Sequence, residues 1–406
     1  MTHRTSSTSP PGRSTDERLR TWGIIVGLSL VSTGLAAYEI VPASVTPILR
    51  DSLQISPTKA GLVVGVMFGT SVVASLPAGA VLDRTDSRKV IAVAVFALCG
   101  VGVWGWYAAR IGDYRSIIAS RAVGGAAYVV VWNVGIDLAS RAVTPDRRAT
   151  AVGIFTASGP VGFALGQGTG PLVAESFGWP AIFLVYAALA LVGLLVFWPL
   201  SHGLGRTESN APSLSEFGAV LKNGAVWQVG LLGFLGYSLY LFVNSWGSSY
   251  LTEEVGLSLG LSGLLVAVFP AVGIFARVSS GALSDRVFGG RRRPVVLGSF
   301  AAAAPLLVAF TQFDSLFVLL AFLLLSGFAV QLTLGLSFSY VRELVDPNVA
   351  ATAVAFQTSI GLAGAFIAPI AGGGVVSAAG FDAAFLLAGC LAVAGIALAW
   401  QAPEPA

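Results

Sequence analysis

The sequence predicts an all-α membrane protein: twelve transmembrane helices arranged as two pseudo-symmetric six-helix bundles. Three observations carry this prediction. Charge is scarce, apolar runs of bilayer length follow one another along the chain, and short stretches of the first half recur in the second at one common offset.

Of the 406 residues, 55% are hydrophobic and only 11% are Asp, Glu, Lys or Arg. A soluble domain carries charge at roughly a quarter of its positions. Mean hydropathy is +0.81. A surface this poor in charge would aggregate in water, so most of it must face hydrocarbon. The same composition excludes several kinds of chemistry. Cys99 and Cys390 lie in apolar runs and read as small buried hydrophobes, while His3 and His202 lie in polar segments. No Cys/His cluster has metal-ligand spacing, so no metal is expected. The three lysines are not set in a phosphate-cradling loop, so no nucleotide or other cofactor is expected. No membrane histidine stands ready to activate a serine, and an enzyme is not expected.

Residues 1–20, polar and rich in Ser, Thr and Pro, are expected to form a disordered cytoplasmic tail. A membrane span needs about 20 apolar residues. Twelve such runs follow, at 22–48, 59–81, 90–109, 116–139, 149–174, 180–200, 225–250, 259–282, 294–312, 316–340, 350–377 and 382–400. They divide into a first bundle at 21–200, a cytoplasmic linker at 201–224, a second bundle at 225–400 and a cytoplasmic tail at 401–406. Arginine and lysine set the orientation. With the N-terminus inside, the outer loops hold only Arg50, Lys59, Arg110 and Arg115, and the inner segments collect all the other loop cations. The positive-inside rule therefore places both termini in the cytoplasm and the protein in the cell membrane. The slightly basic net charge of +3 is a topology signal that calls for no nucleic acid.

The repeat is explicit. GAVLDR at 79–84 aligns with GALSDR at 281–286, PDRRATAVG at 145–153 with PNVAATAVA at 347–355, and FGWPAIF at 177–183 with AGFDAAF at 379–385. Each pair is offset by 202 residues, as from Gly79 to Gly281. Parallel halves put a solute path at their interface, near the bilayer midplane, and permit access to alternate between the two sides.

The loop GAVLDRTDSRK (79–89) and its mate GALSDRVFGGRRR (281–293) resemble the loop signature of the major facilitator superfamily. That resemblance implies secondary transport of a small solute, and a cytoplasmic gate that latches the outward-facing state. The gate would be built from Gly79, Asp83, Arg84, Arg88, Gly281, Asp285 and Arg286, with Asp137 as acidic partner. Asp86 and Ser87 depart from the signature, which leaves the arginine that pairs with Asp137 open. ASRAVGGAA (119–127) is similar to the Arg-x-x-x-Gly pattern of the family's fourth helix. Arg121 is a permanent cation in an apolar run and needs an interior partner unless it snorkels to the outer rim. AAYEIVPASVTP (36–47) resembles the Glu-aromatic-Val-Pro stretch of proton-coupled efflux members, with Ile40 replacing the aromatic residue. Burial disfavours an ionised carboxyl, so Glu39 is a candidate proton carrier and Arg121 its partner; a structural ion pair is the alternative.

Candidate cavity residues follow from helical spacing and polarity: Tyr38, Tyr128, Trp132, Gln167, Tyr237, Tyr240, Asn244, Gln331 and Gln357. Gln167 stands where the antiporter motif of helix five has its proline, flanked by Gly162, Gly166 and Gly170, which read mainly as packing. Arg277, two turns before Asp285, is expected to reach the gate. The leading expectation is proton-coupled export of a small organic compound. Proton symport importing a small organic or inorganic anion is the alternative, and a transport-inactive sensor or lipid-handling protein on the same scaffold comes third. The expected partners are a small-molecule solute, protons and the bilayer, with the protein as a monomer.

Overall fold

The computed structural model describes residues 15–82, 86–204 and 214–404. The first half comprises α1 (Thr15–Ser44), α2 (Thr46–Leu53), α3 (Pro57–Leu82), α4 (Ser87–Arg110), α5 (Tyr114–Ala142), α6 (Arg148–Phe177) and α7 (Ile182–Leu200). A short helix, α8 (Leu214–Lys222), lies in the expected linker. The second half comprises α9 (Gly224–Glu253), α10 (Leu259–Ala271), α11 (Gly273–Arg286), α12 (Arg293–Ala309), α13 (Leu316–Glu343) and α14 (Ala350–Trp400). Polar side chains start several of these helices: Asp86, Asp113, Asn223 and Ser258 each accept a first-turn backbone N–H.

Among the described residues eleven helical stretches are long and apolar enough to cross a membrane, and the last of them runs from Pro347 to Trp400. The 51 residues of α14 would extend about 77 Å if straight, more than twice the hydrocarbon thickness. They turn back at Gly380, whose φ of +83° no L-residue adopts readily. With α10 and α11 forming one crossing, the crossings number twelve.

The repeat is carried into the backbone. Gly178, with φ of +81°, is the mate of Gly380 at the 202-residue offset, and both make the turn between the last two crossings of their half. Gln54 and Gly256 are likewise mates, and both are left-handed. The 3-10 turns Pro145–Arg147 and Pro347–Val349 form a third pair. On the face away from the termini four connections are brief: residues 111–113 between α4 and α5, 254–258 between α9 and α10, and the turns at Gly178 and Gly380; residues 45–56, which carry α2, and 310–315 are longer.

Within the first half α1 packs against α6 and α7, and within the second α9 packs against α14. The halves meet where α3 lies on α14 and α6 lies on α10. These contacts are backbone to backbone. A Cβ at Gly61 would fall 2.1 Å from the Pro369 carbonyl oxygen, one at Gly373 2.5 Å from that of Pro57, and one at Gly263 2.5 Å from that of Gln167. All three sit in the part of their helices away from the termini. Arg50 and Glu253 add an ion pair of 2.8 Å between the halves at that end. The ion pairs described at the termini end, Arg141–Asp137, Arg292–Asp285 and Arg292–Glu343, each run within one half. Among the described residues, the closest backbone approaches between the halves thus lie on the far side.

One boundary differs from expectation. Helix begins at Thr15, inside the expected tail, because nothing before Trp22 breaks it and Asp16 complements the positive end of its dipole. The C-terminal tail is tied down: Tyr340 donates to the Pro403 carbonyl at 2.8 Å, and Glu404 accepts from the Arg292 amide at 3.1 Å.

Candidate functional site

Pro42 lies inside α1 and has no N–H, so the carbonyl of Tyr38, four residues earlier, loses its helical donor. Arg121 of α5 supplies one. Its Nη1 donates to Tyr38 O at 2.6 Å, its Nη2 to Glu39 O, and its Nε to Val63 O of α3 at 2.9 Å. Arg121 is wholly buried, so it does not snorkel to the rim. It fastens the proline bend in α1 to the neighbouring helices. Glu39 is also wholly buried, and neither of its carboxylate oxygens has a hydrogen-bond partner. Arg121 therefore holds the main chain of Glu39 without forming the expected ion pair with its carboxyl. A buried, unpartnered carboxylate is costly, and protonation relieves most of that cost.

Near the midplane a second group of side chains spans the two halves. Tyr128 and Trp132 stack on α5 with centroids 6.1 Å apart, and Trp132 packs on Phe155 at 5.7 Å. From α9, Tyr240 lies between Phe163 of α6 at 5.5 Å and Phe269 of α10 at 5.7 Å. Tyr128, Trp132, Tyr237 and Arg277 are all partly exposed there. Glu39 and Arg277 act electrostatically on the same three tyrosines, Tyr128, Tyr237 and Tyr240. Arg277 therefore lies within charge range of these three tyrosines. The chain breaks at Val272, between α10 and α11, and Arg277 follows one turn into the second piece. Its Nε is buried and has no partner.

Several expected cavity residues serve other ends. Tyr38 is fully buried inside the first bundle, against Phe183 at 5.9 Å and under Arg121. It lies 100° around α1 from Glu39 and so faces α7 and not the midplane. Gln331 donates to the orphaned carbonyls of Phe269 at 3.0 Å and Pro270 at 3.3 Å, bridging the α10–α11 break as Arg121 bridges the bend in α1. Gln357 is buried between α14 and α9, and neither polar atom of its amide has a partner. Gln167 donates to the Asn244 carbonyl across the halves, and Asn244 donates to Tyr240 O at 2.8 Å. Both form the closed roof over the midplane group. Gly162, Gly166 and Gly170 lie against Thr33, Ala37 and Ser44 of α1, which is the packing role expected of them.

Comparison with known proteins fits this arrangement. The family model described as Major Facilitator Superfamily matches residues 26–361 and 289–406. The chain belongs to the major facilitator superfamily. Among its relatives in the superfamily is the hexuronate transporter of Bacillus subtilis (strain 168), 22% identical over 86% of each chain. Another is the cis,cis-muconate transport protein of Acinetobacter baylyi, 23% identical over 82% of this chain and 80% of that one. A solved bacterial homologue of the human lysosomal transporter Spinster, in an inward-facing and occupied conformation, superposes with a TM-score of 0.81 at 17% identity. That match covers 96% of this chain and 97% of the other.

The superfamily's gate loop is described in part. Asp83 and Arg84 lie outside the described residues, and Gly79 is described only as part of α3. Asp137 pairs with Arg141 at 2.6 Å, and Arg141 also donates to Ser87 at 3.2 Å. Arg88 turns away from Asp137 toward the end of α7, where its Nη2 donates to Trp198 O at 2.7 Å. Gly281 has open space where a Cβ would stand, so it makes no close helix approach in this form. In the second copy Asp285 pairs with Arg292 at 2.6 Å, and Arg292 forks onto Glu343 at 2.8 and 3.0 Å. Arg286, expected in the gate, is exposed, and the loop folds back at Gly289 and Gly290 to bring Arg292 over Asp285. Glu343, at the end of α13, was the missing signal.

Proposed function

We propose that the chain is a proton-coupled transporter of a small organic anion, working by alternating access, with Glu39 as the proton-carrying group. The carrying observation is the Glu39 carboxyl, buried without a partner beside the fastener of the α1 bend. When Glu39 is protonated, Arg121 stays on the carbonyls of Tyr38 and Glu39. When Glu39 ionises, its carboxylate competes for the same guanidinium and loosens the bend. A proton would thereby set the stiffness of a helix that packs on both α6 and α7. Arg277 and the three tyrosines supply a cation and hydroxyls at the midplane, which suits a carboxylate solute. The names of the hexuronate and muconate relatives point to the same chemical class. Together these favour anion symport over the export reading. Export of an organic compound remains the second reading, on the Glu39-Ile40-Val41-Pro42 stretch. The proposal puts both termini in the cytoplasm and the present form facing inward.

The test uses proteoliposomes loaded with a pH-sensitive dye and offered sugar acids, dicarboxylates, organic cations and neutral solutes. Proton movement with an acid, lost in Glu39→Gln and weakened through a raised KM in Arg277→Gln, is expected. Its sign separates symport from antiport. Undiminished proton flux in Glu39→Gln would refute the assignment.

A further inference from the structure

The first half carries a groove on its outer surface, at the termini end, that no described side chain fills. It lies between α4 and α7, has a volume of about 460 Å3, and is walled by Ala92, Phe96, Leu191, Leu195, Trp198 and Pro199. Those walls are almost wholly apolar. Arg88, Ala92 and Phe96 fall at four-residue spacing on α4, so Arg88 stands at the head of the groove and Phe96 about 12 Å deeper.

Cations gather at that head. The Arg88 guanidinium lies 3.8 Å over the Trp198 ring and donates to Ser201 Oγ at 2.9 Å, with His202 Nδ1 at 3.2 Å. Arg20, from the start of α1, donates to Leu200 O at 2.9 Å and to His202 O. Lys89 is exposed alongside. Part of this is helix capping, since the acceptors are the terminal carbonyls of α7. Capping does not neutralise charge, however. Among the described residues no carboxylate forms an ion pair with Arg20, Arg88 or Lys89, and Asp86 is engaged as the N-cap of α4. An acyl-sized apolar slot headed by uncompensated cations at the membrane surface has the chemistry of an anionic amphiphile.

We propose that this groove is a binding site for an anionic phospholipid of the leaflet on the termini side. One acyl chain lies along α4 and α7, and the phosphate rests on Arg88 and Arg20. Arginine suits a phosphate because its planar fork can engage two oxygens. Each basic group that meets the headgroup should favour an anionic lipid over a zwitterionic one by about fivefold.

The experiment compares quenching of Trp198 by phosphatidylglycerol and phosphatidylcholine carrying brominated acyl chains, in the purified full-length protein. The signal of Trp198 is taken as the difference between the parent and Trp198→Phe, which keeps a ring beneath Arg88. The expected result is half-quenching at a several-fold lower mole fraction of phosphatidylglycerol. Arg20→Gln, at an exposed position, should cut that preference about fivefold. Ala92→Leu should fill the groove and abolish the high-affinity component while leaving the melting midpoint unchanged. Equal quenching by the two lipids in the parent overturns the proposal and leaves an ordinary lipid-facing furrow. A preference that survives both Arg20→Gln and Ala92→Leu overturns it as well.

Discussion

Replacing Gly61 with alanine should open the far side of the molecule. A Cβ at Gly61 would lie 2.1 Å from the Pro369 oxygen and 2.6 Å from its carbonyl carbon, against an ordinary contact of 3.4–4 Å. The obstacle is main chain, so it cannot swing aside, and α3 and α14 must separate by about 1.3 Å at that level. Overpacking of this kind costs about 1–3 kcal/mol. The clash exists only while the halves are closed at that end, so the cost falls on one access state alone. The equilibrium between the two states should shift about 5- to 150-fold. The assay places a reporter at Asn244→Cys, a fully buried position whose carbonyl accepts from Gln167 of the other half. Cys99 and Cys390 are first replaced by alanine. A membrane-impermeant maleimide added from the far side then labels Asn244→Cys only when the halves part there. Gly61→Ala should raise the labelling rate at least fivefold. Gly100→Ala, where a Cβ meets nothing within 4 Å, should not change it. An unchanged rate in a Gly61→Ala protein that melts like its parent would refute the closed-face reasoning.

Three further outcomes are expected. Arg121→Lys replaces a fork that reaches three carbonyls with a single ammonium, so at least one charged hydrogen bond is lost, costing about 1.5–3 kcal/mol; a melting midpoint equal to the parent's would contradict this. Gly273→Ala puts a Cβ 1.7 Å from Gln331 Oε1 and should displace that amide from Phe269 and Pro270. In a double-mutant cycle with Gln331→Ala the two losses should be non-additive by about 0.5–3 kcal/mol, and strict additivity would argue against the bridging role. Arg50→Ala breaks a half-exposed ion pair worth at most about 1 kcal/mol, so it should move the Asn244→Cys labelling rate by fivefold or less. A larger change would mean that Arg50 does more than pair with Glu253.

The crossings, the two halves and the repeat were legible because contact with lipid marks a sequence strongly: a span must be long and apolar, and its interruptions stand out. The left-handed mates Gly178 and Gly380 follow from the same alignment. Polar side chains were harder to place. Helical spacing says which residues share a face, and it grouped Tyr128 with Trp132, which stack on α5. It does not say what that face meets. Arg121, Gln331 and Tyr38 look alike as polar interruptions, yet two of them mend broken helices and the third packs within a bundle. Pro42 frees the Tyr38 carbonyl of α1, but its donor comes from a helix about 80 residues away, beyond any local pattern. Arg292 replaced Arg286 because loop closure, not proximity in sequence, brought it to Asp285.

The brief connections on the far face have a practical consequence. Apart from residues 45–56, which carry α2, and residues 310–315, that surface is made of links of one to five residues, which offer an antibody little epitope and a protease little cleavable segment. Affinity tags, fluorescent fusions and fiducial domains for imaging therefore belong on the termini side, within residues 201–224 or beyond the ends of the chain. An insertion at Gly380 would have to force apart two helices that share that turn.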